Sequence, residues 1–121
     1  TTEAIPELKG LFDGLAIRVP VPVVSLSDLT FLLKKKVTVE EVNNAFRDAA
    51  RNPAMKGILD VTDEPLVSSD FIRNSHSSIV DLSLTKVIDG DLVKVIAWYD
   101  NEWGYSSRLA EMVERVGKTL Q

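Results

Sequence analysis

The chain contains no cysteine and a single histidine. Within its 121 residues this excludes a disulfide, a thiolate nucleophile, a cysteine-ligated zinc site and a multi-histidine metal centre. No apolar run approaches the roughly 20 residues that span a bilayer, so no membrane role is expected. No signal-peptide pattern opens the chain. Neither sign of charge forms a long block, and the net charge is −4. A nucleic-acid or anionic-membrane partner usually needs a basic face, and none is apparent. Gly-rich phosphate loops are missing, both Gly-x-Gly-x-x-Gly and the P-loop, and so is a Gly-x-Ser-x-Gly elbow. What remains is 45% apolar and 26% charged, enough to build one domain with a real core. The first residue is Thr1, and residues 1–10 read as the tail of a helix already under way. The expectation is a piece of a larger protein, with a processed N-terminus as the other reading.

Periodicity divides the chain into strands and helices. Leu15 to Val24 reads as a strand interrupted by Pro20 and Pro22, whose missing donors imply an edge, a bulge or a break. Strand character continues through Leu26, Leu29 and Phe31 to Leu33, and Lys34-Lys35-Lys36 marks its solvated end. Thr38-Val39-Glu40-Glu41 spells a capping box, with Val37 and Val42 at the staple positions. Val39, Val42, Phe46 and Ala49 then recur at helical spacing until Asn52-Pro53 stops the helix. Gly57 to Val61 is a short strand candidate, and Leu66 to Ile72 an extended or 3₁₀ stretch. Ser78 to Ile88 and Leu92 to Tyr99 are two long strand patterns joined by Asp89-Gly90, a strong hairpin signal. Val80, Leu82 and Leu84 alternate with Asp81, Ser83 and Thr85, which predicts one core face and one polar face. Tyr105, Leu109, Met112, Val113, Val116 and Leu120 predict an amphipathic C-terminal helix, supported by the i,i+4 pairs Glu111–Arg115 and Glu114–Lys118. The fold class is α+β: a mainly antiparallel or mixed sheet with helices on one face.

Few residues could carry chemistry. Arg18 sits in the apolar Ala16-Ile17-Arg18-Val19-Pro20 run, where a guanidinium must snorkel to water or meet an anion; its planar fork suits phosphate. Asn101 precedes a helical pattern, which makes it a favoured N-cap or an amide placed to bond a ligand. Tyr105, one turn on, is either core packing or an aromatic surface for a flat ring. His76, near Ser77, Ser78 and Asp81, does not make a hydrolase triad, because no oxyanion hole or nucleophile elbow accompanies it. The carboxylates show no pairing suited to glycoside hydrolysis, and no metal site is expected.

Five segments then identify a resemblance. Gly14-Leu15-Ala16-Ile17-Arg18-Val19-Pro20-Val21-Pro22 with Ser25 and Asp28-Leu29 resembles the catalytic domain of the phosphorylating glyceraldehyde-3-phosphate dehydrogenases. So do Lys56 to Leu59, Pro65 to Phe71, Ser78 to Asp81, and above all Trp98-Tyr99-Asp100-Asn101-Glu102-Trp103-Gly104-Tyr105-Ser106. The order and spacing hold from Pro6 onward, with Val23 where the family often has Asn. The resemblance implies that residues 1–121 are a portion of the catalytic domain, without the nucleotide-binding domain. It implies the family reaction too. The aldehyde of glyceraldehyde 3-phosphate is held as a thiohemiacetal on a cysteine, hydride passes to NAD, and inorganic phosphate releases 1,3-bisphosphoglycerate. Arg18 falls on the arginine that binds substrate phosphate and inorganic phosphate. Asn101 falls on the residue that bonds the nicotinamide carboxamide, Tyr105 on the aromatic beside it, and Glu102 in a supporting place. The Ser-Cys-Thr-Thr-Asn motif with the nucleophile is not in this chain, and His76 does not match the family's histidine. The isolated chain is therefore expected to be inactive. The resemblance leaves NADP open as cofactor. It also implies a cytoplasmic homotetramer for the whole protein, and self-association or helix exchange for the isolated chain. Erythrose-4-phosphate dehydrogenase, which shares the scaffold, and a non-catalytic assembly module remain the alternatives.

Overall fold

A computed structural model describes residues 2–120 of the chain. Four strands and two α-helices follow one another as β1 (Ser25–Leu32), α1 (Val39–Arg51), β2 (Leu59–Thr62), β3 (Ser78–Ile88), β4 (Leu92–Tyr99) and α2 (Trp103–Thr119). Single 3₁₀ turns lie at Pro6–Leu8, Pro53–Met55 and Ser68–Phe71. The sheet order is β1-β4-β3-β2. β4 pairs antiparallel with both β1 and β3, whereas β2 pairs parallel with β3. The class is thus α+β with a mixed sheet and a C-terminal helix, as the pattern predicts.

Local signals account for the element boundaries. The Thr38 hydroxyl accepts from the Glu41 amide at 3.2 Å, and the Glu41 carboxylate accepts from the Thr38 amide at 2.7 Å. That reciprocal pair satisfies two donors that the first turn of α1 would leave orphaned. The β3–β4 turn places Asp89 at φ 48° and Gly90 at φ 78°, the two positive angles that a type I′ hairpin requires. Lys36 folds over this turn, with its ammonium 3.0 Å from the Asp91 carboxylate.

Residues of alternating orientation build a core on each side of the sheet. On one side Val80, Leu82, Val93, Val95 and Ala97 are buried beneath Val42 and Phe46 of α1. On the other, Ile79 clusters with Val24 and Phe71, and Trp98 stacks on Phe71 with ring centroids 5.4 Å apart. This second cluster lies under the end of β4 from which the candidate site emerges.

Four expectations are corrected. Residues 2–10 form turns and the Pro6–Leu8 3₁₀ helix instead of the tail of an α-helix. Leu15 to Val24 is irregular chain, not strand; pairing with β4 begins only at Ser25. Pro20 and Pro22 cannot donate to a ladder, and the branched residues before them find no strand to pair with. The alternation in β3 also breaks. A register shift between Asp81 and Lys86 turns Leu84 outward and Thr85 inward, because a bulge adds a residue to one strand and reverses the facing of the residues beyond it. On α1, Val39 is exposed, and the buried position falls to Asn43, whose Nδ2 donates to the Leu82 carbonyl at 3.0 Å.

Candidate functional site

The site forms where β4 ends and α2 begins. Asp100, the first residue past β4, is only 3% exposed. One of its carboxylate oxygens accepts from the amides of Glu102 at 2.9 Å and Trp103 at 2.8 Å; the other accepts from the amide of Arg73 at 2.8 Å. Asp100 therefore does the capping that the sequence reading gave to Asn101 as one of its two alternatives. Burial opposes the charge on this carboxylate, but the amides of Trp103, Arg73 and Glu102 outweigh it and hold its pKa below the ordinary range.

Relieved of capping, Asn101 turns elsewhere. Its Oδ1 accepts from the Val24 amide at 3.1 Å and from the Ser25 hydroxyl at 3.4 Å. The amide orientation is thereby set, and Nδ2 is left as a donor with no partner among the described residues. Val24 adopts φ 76°, a left-handed conformation that a β-branched residue rarely takes. Its bond to Asn101 helps to hold that strained backbone and ties the start of β1 to the site.

α2 approaches the 73–77 loop closely. A Cβ on Gly104 would stand 2.8 Å from the His76 carbonyl oxygen, so only glycine permits this contact. Arg108, one turn on, donates to the Gly57 carbonyl and to Glu111. Glu111 thus pairs with Arg108 rather than with Arg115, while Glu114 and Lys118 pair as expected. Between the loop and the helix lies a cavity of about 350 Å³, lined by Ser77, Tyr99, Asp100, Asn101, Gly104, Tyr105 and Arg108. That volume is at the small end of ligand pockets, enough for one flat ring and its substituent. Tyr105 is 69% exposed, so its ring is an open surface and not core packing.

The structure brings Asn101 and Tyr105 together in one cavity wall. Glu102 is exposed beside them, and its side chain does not cap the helix. Arg18 is not brought there: it lies exposed in the irregular 9–24 segment, without a hydrogen bond or ion pair among the described residues. His76 Nδ1 lies 2.9 Å from Asn74 Oδ1, while Asp81 is engaged by Ser83 and Trp98, so the two do not form a relay. Sequence reading missed Asp100 as the organiser. Its signal was present, since an Asp three residues before the first helical residue is itself placed to accept the amides that open the helix.

Comparison with known proteins gives the family. Residues 1–101 match the family model of the glyceraldehyde 3-phosphate dehydrogenase C-terminal domain. Glyceraldehyde-3-phosphate dehydrogenases of Mycolicibacterium smegmatis and Zymomonas mobilis are 55% and 52% identical over 116 residues. That of Mycobacterium avium is also 55% identical over the same length. Each alignment covers 96% of this chain and 34% of the relative, so the chain spans about a third of the length of the curated relatives it matches. No helix among the described residues is long and apolar enough to cross a membrane. The chain belongs to the glyceraldehyde 3-phosphate dehydrogenase family, whose C-terminal domain it matches.

Proposed function

We propose that this chain supplies the nicotinamide-facing wall and the phosphate-binding arginine of an NAD-dependent phosphorylating glyceraldehyde-3-phosphate dehydrogenase. The whole protein would oxidise glyceraldehyde 3-phosphate with inorganic phosphate to 1,3-bisphosphoglycerate, as a cytoplasmic homotetramer. The observation that carries the reading is Asn101. Its oxygen is spent on Val24 and Ser25, its Nδ2 has no partner among the described residues, and the Tyr105 ring lies in the same cavity wall. A spare donor beside an open aromatic surface suits a carboxamide on a flat ring. The cavity's size fits that end of a dinucleotide and not the remainder, which residues outside this chain would bind. When bound, the cofactor supplies the hydride acceptor.

This chain's own residues bind and orient. Asn101 donates to the carboxamide oxygen, which fixes the ring's rotation. Tyr105 shields one side of the ring. Arg18 offers two parallel N–H donors to a phosphate, and its segment ends at the Val24 amide held by Asn101. The covalent step would need a cysteine from outside this chain, which has none.

The test is a pair of variants in the full-length protein. Asn101→Ala removes the proposed bond to the carboxamide together with the bonds to Val24 and Ser25, and is expected to raise the KM for NAD at least about tenfold and that for the aldehyde phosphate by a smaller factor. Arg18→Ala removes charge-assisted bonds and is expected to raise the KM for aldehyde phosphate and inorganic phosphate by about 10- to 100-fold. If Asn101→Ala leaves the NAD dependence unmoved, the assignment of this wall fails.

A further inference from the structure

Asp100 is built for more than capping. Its two oxygens serve two chain segments, the first turn of α2 and Arg73, which lies 27 residues away in sequence. Arg73 is held at φ 65°, a left-handed angle that a residue with a Cβ leaves readily unless something retains it. The bond from its amide to Asp100 retains it. From Arg73 the loop runs through His76, whose carbonyl meets Gly104, to Ser77, which lines the same cavity. The wall that carries Asn101 and Tyr105 and the wall that carries Ser77 are thus joined through one buried carboxylate.

We infer that Asp100 is a positioning residue that sets the separation of the cavity's two walls, and with it the fit of the nicotinamide ring. The inference rests on the nicotinamide reading of the cavity given above. Its physical basis is that a reactive ring must be held within a few tenths of an ångström of its productive place, which a loose wall cannot do. Asp100 lines the cavity, but both of its carboxylate oxygens are spent on backbone amides. It acts through Asn101, its neighbour in the chain, and through the loop it anchors.

The structure contains its own control. Asp81 is also a buried carboxylate, 2% exposed, but it bonds Ser83 and Trp98 and lines no part of the cavity. In the full-length protein, Asp100→Asn replaces an acceptor with a donor facing backbone amides. It is expected to raise the KM for the nicotinamide cofactor at least tenfold and to lower kcat, with the KM for aldehyde phosphate within twofold of wild type. Asp81→Asn is expected to lower thermal stability and leave the cofactor KM within twofold. Gly104→Ala, which drives a methyl group toward the His76 carbonyl while Asp100 stays intact, is expected to reproduce the cofactor-selective rise. The inference is overturned if Asp100→Asn affects cofactor KM no more than Asp81→Asn does. Should Asp100→Asn fail to fold, a folded Gly104→Ala protein with wild-type cofactor KM overturns it as well. An inactive wild-type protein would instead overturn the proposed function itself.

Discussion

Asp100 and Asn101 stand side by side, and their roles are decided by groups far away in sequence. Either could cap α2. Asp100 turns inward because the Arg73 amide waits there, and Asn101 turns to the Val24 amide, 77 positions earlier. Those partners explain why Asn101 was legible in the sequence as a site candidate while the capping role of Asp100 was not. Tyr105 was similarly ambiguous, since helical spacing alone does not say whether a face is covered. The Asp100 carboxylate titrates below its ordinary value, so its charged form favours the folded state. The stability it contributes is full above the unfolded carboxylate pKa of about 3.9 and is lost as pH falls through the lower folded value. Thermal melts of the wild type and Asp100→Asn should therefore differ most near neutral pH and converge as pH falls below about 4. A gap that stays constant down to strongly acid pH would show that the charge of Asp100 contributes nothing.

Elements whose signals are local follow the sequence closely. The α1 capping box and the Asp89-Gly90 hairpin depend only on residues within four positions of one another, and both form. The segment before β1 and the far half of β3 depend on non-local pairing, and there the pattern misleads. Branched residues from Leu15 to Val24 suggest a strand, but a strand needs a partner with free donors and acceptors on the facing edge. The β3 bulge is likewise invisible in the sequence, because an alternating apolar and polar run does not say where the partner strand shifts register. α2 is the element with most apolar surface left open: Leu109, Met112, Val113 and Val116 are all exposed, while Gly104 and Arg108 make its contacts with the loops. We propose that the isolated chain covers this stripe by self-association, or by exchanging α2 between copies. Sedimentation velocity should show a concentration-dependent species larger than a monomer, shifted toward monomer by Leu109→Glu with Val113→Glu. A monomer at all concentrations, with no binding of an apolar dye, would contradict this.

At the scale of the whole molecule, one end of the sheet gathers the end of β4, the start of α2 and the start of β1. β4 delivers Asp100 and Asn101, β1 begins at the residues that Asn101 bonds, and the chain bearing Arg18 leads into β1. The family and the mixed α+β class were legible because the Arg-Val-Pro and Tyr-Asp-Asn-Glu-Trp-Gly-Tyr runs are long and specific. The working site as a whole was not, because this chain spans 34% of its relatives' length and contains no cysteine. The central claim is that this chain forms one wall of a dehydrogenase site whose nucleophile lies elsewhere. The most direct measurement is the initial rate of NAD reduction with glyceraldehyde 3-phosphate and inorganic phosphate, for the full-length protein and for the isolated chain at equal concentration. Phosphate-dependent turnover by the full-length protein, and none by the isolated chain, is the predicted result. Turnover by the isolated chain, or a folded full-length protein that reduces no NAD, would contradict it.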